Sequence, residues 1–584
     1  MAITTVNRKY SNFRGVDFSN SEVNLYRSPD SVNMWKNYDD GEGIETRPGM
    51  TLLGDFTDPI YGLFFYKIQD TLQVIVHAGT KLYKWTNYPN SPVTKTELYS
   101  GMNPAYSQHF IFNSVLFIKD GINYLEYDGT TCQEVVGTIP MTRLGTTPSG
   151  QMFKDTVDYV YQDVNCLTSK RKNGFVADGT STEYHLDTYD LDPATTYIMH
   201  ATVDGVDKLE GADFTVDRTN GIVTFNEAPA APLEDGDSNV IITYSKTISE
   251  LQSRVKQCTL LAEFDNRIFF SGNPNYPNTV FHTELEDPRY VSDVDYSTVG
   301  LDVASIKAII PGNDILWVFK ETVQNYSNVF YLTPTIDSSL GKIYPSVVGN
   351  ISTGCVSTGV NFNDAICFFS VKGLEAIGKN LGNDQILDHK SSLVDSKLIS
   401  NADYLNIKLA EFRGYLMCLL DSKIFLADSR IMFEETPGKT EYEWFYWELP
   451  FNIKYITEYQ NDLYLANNSG KIYILEGTTD NGTNIFSKWT TTKDNFKYDS
   501  YRKITNKRGG TADVKMMDNN AITLKTKTEI RENTIGTYTD SKGYIVYRVK
   551  EKKFKWLQLE FSSNKPFGLF SCTLETFIGG YVKR

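Results

Sequence analysis

The chain is poor in the residue types that ordinarily mark a catalytic or metal centre. Six histidines (His77, His109, His185, His200, His282 and His389) are scattered through 584 residues. None has a partner at metal-ligand spacing on a helix, so no metal site is expected. The seven cysteines (Cys132, Cys166, Cys258, Cys355, Cys367, Cys418 and Cys572) are odd in number, widely spread and without a C-x-x-C pair. That excludes a disulfide framework and a zinc site, and several read as small buried hydrophobes inside strand-like runs. The longest apolar runs, Val115 to Ile118 and Ile366 to Phe369, fall far short of the roughly 20 residues that cross a bilayer, so no membrane insertion is expected. The start, Met1 to Arg8, carries no apolar core behind its first positive charge, so it is read as no secretory signal and synthesis is placed in the cytoplasm. P-loop, dinucleotide-binding, serine-hydrolase and zinc-protease motifs are all missing. No catalytic, cofactor-binding or metal residue is therefore assigned, and the expectation is a protein that is not an enzyme and needs no cofactor.

What the chain does have is aromatic mass. Phe, Tyr and Trp make up 13% of it, enough apolar surface to offset a large ordering entropy, so it folds. Charge is unevenly placed. Lys488 to Arg584 carries 20 basic and 10 acidic residues, or +10, while residues 1 to 487 sum to −25. Thr146 to Glu250 alone holds 7 basic and 18 acidic residues, or −11. An acidic body argues against gripping DNA, because phosphate neutralisation supplies that affinity. The basic end reads either as a contact for nucleic acid or an acidic surface, or as a solvated β-domain whose lysines guard strand edges.

Nearly every apolar cluster is four to eight residues long, rich in Val, Ile, Tyr and Phe, and bounded by Gly, Asn, Asp or Pro. This is an all-β pattern. Helical spacing is confined to short pieces near Ile248 to Val255 and Asp388 to Ile399. A recurring unit runs strand, tight polar turn, strongly apolar strand, turn, and a third strand with Tyr, Leu or Phe. Its turns fall at 70, 114, 266, 313, 364, 414 and 462, at intervals of 44, 152, 47, 51, 50 and 48 residues. A period of 40 to 50 residues is that of β-propeller blades, which bury their faces only against their neighbours. About seven blade-like repeats are expected; the alternative, unrelated hairpins in one large sandwich, does not account for the regular spacing.

The long interval marks an insertion. The expected organisation is residues 1–145 as the N-terminal strands and first blades, 146–250 as an inserted small β-domain, 251–486 as the remaining blades and 487–584 as a C-terminal β-sandwich-like domain. Inside the insertion, Asn220-Gly221 is the strongest two-residue hairpin signal. Near the end, Phe554 and Trp556 compete with Leu557, Leu559 and Phe561 for one face, which points to a bulge.

Five further features have chemical readings. Thr478-Thr479-Asp480-Asn481-Gly482-Thr483 resembles part of the Asp-box turn of sialidases, but occurs once and lacks the following aromatic, so it is read as a surface turn. Glu434-Glu435 and the pair Glu284 and Glu286 are arrangements that a chain with 72 acids contains by chance. The turns Asp204-Gly205-Val206-Asp207 and Asp235-Gly236-Asp237 lack the spacing of a dedicated calcium loop and are read as solvated.

The order of short signatures is similar to one known family. Asn12-Phe13-Arg14-Gly15-Val16-Asp17, Ser28-Pro29-Asp30-Ser31-Val32-Asn33-Met34 and Arg47-Pro48-Gly49-Met50 open the chain. Phe269-Phe270-Ser271-Gly272, Val280 to Tyr290, and Trp317-Val318-Phe319 with Thr322 to Tyr326 stand in its middle, and Leu557-Gln558-Leu559 precedes Cys572 to Glu575. This layout resembles the packaged-DNA stabilisation proteins of short-tailed phages, the tail-hub or nozzle proteins. The insertion looks like a β-module grafted into many phage tail proteins. The resemblance implies a structural virion protein made in the host cytoplasm. It would form a ring, typically sixfold, below the portal and adaptor, contact other tail proteins such as spike, fibre or plug, and let genomic DNA pass without sequence-specific binding. Acidic residues lining that channel would repel phosphates. The alternative is a tail protein that binds or degrades surface glycan.

Overall fold

The computed structural model describes residues 4–19, 23–38, 41, 43–68, 70–154, 162–312, 314–338, 341–379, 385–436, 439–516, 520–539 and 543–581. The chain is all-β: its described helices are Ser249–Lys256, Asp395–Leu398 and one 3-10 turn, Tyr404–Asn406. Of the second helical expectation only the last residues are helical, because Gln385–His389 instead pairs with Gly373–Lys379 as an edge strand. Two compact units form, one of Met1–Pro104 with Asn350–Arg584 and one of Ala105–Gly349.

Seven sheets repeat one plan, at 60–100, 108–134, 260–298, 306–348, 359–389, 408–448 and 453–475. In each, the first two strands are joined by a two-residue turn, with pairs such as Phe112↔Val115, Phe264↔Arg267, Phe362↔Ala365 and Tyr459↔Asp462 flanking it. The described turn residues have φ between 47° and 76°, the type I′ geometry whose twist matches the flanking strands. Asn, Asp, Ser and Gly fill most of these positions because they tolerate positive φ. In the last sheet the turn is Gln460-Asn461 and Asp462 is already in the strand. Asn313 of the fourth turn lies outside the described residues.

The second strand of each sheet is buried along most of its length. In five sheets its apolar run ends on a buried polar residue, His77, Lys119, Ser271, Lys320 or Ser370. Four of these turn back to a carbonyl: His77 to Gly79, Lys119 to Lys256, Ser271 to Thr279 and Lys320 to Val299. A buried donor there needs such an acceptor.

In the first unit the 453–475 sheet packs on the 60–100 sheet through Tyr455, Tyr464, Phe65 and Val74. The 359–389 and 408–448 sheets share a core that includes Phe369, Leu374, Leu416 and Trp444. The 453–475 sheet has only three strands of its own, and Met50–Asp55 supplies a fourth by pairing with Lys471–Leu475. In the second unit the 108–134 and 260–298 sheets meet at Phe110, Phe117, Phe270 and Phe281, and the 260–298 and 306–348 sheets at Phe269, Val280, Leu316 and Val318.

Residues 141–245 form a five-stranded and a three-stranded sheet around a core of their own that includes Phe175, Tyr184, Phe214 and Tyr244. Asn220-Gly221 does not make a two-residue hairpin there. The loop spans 218–221 and only Gly221 has positive φ, because the Asp217 carboxylate accepts from Thr219 N and Asn220 N and holds a wider turn. The two-residue hairpin of this region is Asp204-Gly205.

The C-terminal segment forms two layers. Ser487–Thr490, Leu557–Ser563, Ile522–Thr528 and Glu532–Tyr538 make one sheet. The other is organised on the long strand Phe567–Tyr581, which pairs with Gly510–Met516 and Tyr501–Thr505, and also with Thr4–Tyr10 from the opposite end of the chain. Phe554 and Leu557 are not competing residues of one bulged strand. Lys552–Phe554 belongs to the second layer and Leu557–Ser563 to the first, so the chain changes sheets at Lys555-Trp556.

Candidate functional site

The signature residues near the N-terminus form a strap on the first unit. Gly15 has φ +78°, and a Cβ there would stand 2.0 Å from Trp444 O. This close approach lets Val16 N donate to Trp444 O at 2.7 Å, while Gly15 O accepts from Ser28 N at 2.9 Å. Asn33 Oδ1 accepts from Arg47 Nε at 3.0 Å and from Glu448 N at 2.8 Å. Arg47 then forks onto Asp480, with Nη1 to Oδ1 at 2.8 Å and Nη2 to Oδ2 at 2.6 Å. Gly49 lies against Thr479, with room for no side chain. The Asp-box-like turn is a surface turn, with Thr478, Asn481, Gly482 and Thr483 exposed, but its Asp480 side chain is buried and anchors the strap. Its pattern was visible in sequence, but its partner lies more than 400 positions away.

Beneath the strap, Glu443 is fully buried and neither carboxylate oxygen accepts a hydrogen bond. Arg14 Nε stands 3.6 Å away. Burial pushes the Glu443 carboxyl up to about 7, against the opposing pull of Lys36 and Arg14.

The histidines do not converge. His185 and His200 are exposed on the 141–245 sheets. His282 is buried with Nδ1 3.1 Å from Thr283 O, and burial pushes it down to about 4. His389 differs. Its Nε2 lies 2.7 Å from Asp395 Oδ2 and its Nδ1 3.3 Å from Glu375 Oε1, while Ser391 Oγ donates to the other Asp395 oxygen at 2.6 Å. Burial works to lower this imidazole, but the two carboxylates outweigh it and hold it up to about 10. The serine serves the carboxylate and not the imidazole, so the grouping lacks the nucleophile-to-base contact of a triad.

Glu284 and Glu286 are used separately. Glu284 Oε2 is 3.2 Å from Arg267 Nη1, whereas Glu286 lines an open cavity of about 260 Å³ with Phe112, Glu263, Asp265, Arg267 and Asp287. Burial and the neighbouring Glu284 raise the Asp295 carboxyl. The side chains of Glu434 and Glu435 lie outside the described residues. In the acidic turns, Asp204 accepts from Asn239 and Asp235 pairs with Lys154. Among the described residues no group of three or more His, Cys, Asp or Glu is placed to hold a metal ion. The seven cysteines are free and six are buried, with burial pushing the Cys367 thiol up to about 11.

The basic end sorts into two kinds of cation. Lys503 is buried, and its ammonium donates to the carbonyls of Tyr498, Tyr501 and Lys555. Arg502, Lys507, Arg508, Arg548, Lys552 and Lys553 are exposed and make no ion pair among the described residues. Sequence counting found the excess of charge but could not separate the two kinds, since Lys503 and Lys552 look alike in it.

No family model matches the chain, and no curated protein matches it. Among solved structures, the computationally designed Ika8 protein is 11% identical with a TM-score of 0.31, over 73% of this chain and 100% of that one. PorZ, a surface component of the type-IX secretion system of Porphyromonas gingivalis, is 10% identical with a TM-score of 0.21, over 91% and 81%. An exo-β-1,3-galactanase from Phanerochaete chrysosporium is 8% identical with a TM-score of 0.20, over 54% and 94%. At these scores the likeness does not reach the arrangement of the sheets, and any functional reading rests on the chain's own residues.

Proposed function

We propose that this chain is a structural protein of a bacteriophage tail, a nozzle or hub subunit. In this reading its ring lies below the portal and adaptor, extends and closes the DNA channel, and takes part in DNA retention and ejection. The observation that carries the reading is the use made of the signature residues. Gly15, Asn33, Arg47 and Gly49, which bear the resemblance at the N-terminus, are buried or tightly packed in a strap held by backbone hydrogen bonds and the Arg47–Asp480 fork. These residues hold the strap to the sheets, a structural role that suits such a subunit, and present no reacting group. A cluster of polar residues kept for catalysis would instead converge on an accessible cavity.

The test is imaging of particles assembled without this protein. The expected result is loss of the distal tail or of packaged DNA, restored when purified chain adds as a ring to the distal end of portal–adaptor particles. Intact tails that retain DNA, together with cleavage of surface glycan by the purified chain, would overturn the reading in favour of a glycan-degrading tail protein.

A further inference from the structure

We infer that the basic outer face of the C-terminal sheet docks onto the acidic outer face of residues 200–239 in a second copy of this chain. The inference rests on the ring reading above and names the contact that would build the ring.

The basic face is one continuous surface. Ile504 pairs with Lys552 on one side and with Phe577 on the other, so these three side chains share a face, with Arg502 two residues along it. Gly509 packs against Tyr547 and Arg548, bringing the Lys507-Arg508 turn beside Arg548. Tyr544 and Val546 are exposed on the neighbouring edge strand. The face therefore combines unneutralised cations with exposed apolar side chains. Lysines serving only to guard a strand edge would not need the apolar residues or the arginines of the adjoining turn.

The acidic face has the complementary make-up. The Asp204-Gly205 turn is tied to Asn239, with Asp204 N donating to Asn239 O at 2.8 Å, and Asn239 Nδ2 donates to Ala230 O at 2.9 Å. This sets Asp204 and Asp207 beside the loop that carries Glu234, Asp235 and Asp237, all exposed, of which Asp235 is paired with Lys154. Leu233, Val206 and Leu209 are exposed among them. Charge opposes charge, and apolar residues meet apolar residues, the make-up of a protein contact. A DNA duplex answers the cations but leaves Ile504, Tyr544 and Val546 against phosphates, and the chain's net −15 opposes its approach. Because the two faces differ, the contact is heterologous, and repeating it from copy to copy gives a ring or filament.

The experiment measures the mass distribution of the full chain, and of three variants, at about 0.05 M and about 0.5 M salt, where the screening length differs severalfold. One variant carries Arg548→Glu, Lys552→Glu and Lys553→Glu; another carries Glu234→Lys, Asp235→Lys and Asp237→Lys; the third carries all six. All changes are at exposed positions, and circular dichroism checks that each variant folds. The expected result is that the parent forms species larger than a dimer, which salt weakens. Each triple variant should lose at least about tenfold in association, and the sixfold variant should regain most of it. Assembly indifferent to either triple change, absence of recovery in the sixfold variant, or a chain monomeric at both salts would overturn the inference. So would a duplex of about 30 base pairs bound through the basic face without effect on assembly. If rings form but ignore charge reversal, the contact is wrong and the nozzle reading stands. If the parent adds to no portal–adaptor particle, the nozzle reading itself fails.

Discussion

Arg47 and Asp480, 433 positions apart, form a buried two-point ion pair with hydrogen bonds of 2.8 and 2.6 Å. The guanidinium's remaining donors go to Asn33 Oδ1, Pro48 O and Glu448 O, so the charge is fully coordinated. The pair fastens the N-terminal strap just before Met50–Asp55 enters the 453–475 sheet.

Removing one member leaves the other charge buried and unpaired. Asp480→Ala is expected to cost about 3–5 kcal/mol, and Arg47→Met with Asp480→Ala together less than the sum of the two single changes. Urea midpoints of the four proteins check this.

Gly15 is a steric requirement. Alanine there would combine strain at φ +78° with a Cβ 2.0 Å from Trp444 O, and would break the Val16 N to Trp444 O bond. The expected loss is about 2 kcal/mol or more, read as a lowered melting temperature.

Glu443 gives a pH dependence of known sign. Its folded pKa of about 7 lies above the ordinary glutamate value, so the folded chain keeps a proton that the unfolded chain releases. The stability linked to it is present below the unfolded value and is lost as pH rises through about 7. Glu443→Gln stays neutral and is expected to melt above the parent at about pH 8 and level with it near about pH 4. Thermal melts across that range decide it.

His389 is also raised, so its contribution is fully present below the ordinary histidine value and lost as pH rises through about 10. His389→Gln is expected to cost about 2 kcal/mol at mildly acidic pH, through the lost charged hydrogen bond to Asp395 and the lost ion pair with Glu375. The gap from the parent should close as pH approaches 10. Denaturant titrations at several pH values measure it.

The repeated hairpin was legible because its causes are local. Asn113-Ser114, Asp265-Asn266 and Asn363-Asp364 are turn residues followed by short, strongly apolar strands that are buried along most of their length, and φ above zero at both positions depends on little beyond the dipeptide. The same locality failed at Asn220-Gly221, where the Asp217 side chain competes for the backbone and widens the loop. It failed again between Phe554 and Leu557, where alternation cannot report a change of sheet. The chemistry of the strap was less legible still. Asp480 was visible as a turn residue, but nothing near it in the chain announces Arg47, and Glu443 is one glutamate among 72 acids.

By itself, then, the sequence determined that the chain is all-β, how its strands are spaced and where its charge is gathered, since propensity, turn chemistry and composition act over a few residues. Only the tertiary structure decided that Thr4–Tyr10 pairs with Phe567–Tyr581, that Met50–Asp55 completes the 453–475 sheet, and which carboxylates and lysines are buried. Pairings across hundreds of residues are set by the fit of buried faces and by the need to satisfy every buried donor and charge. Both conditions exist only once the chain has closed on itself.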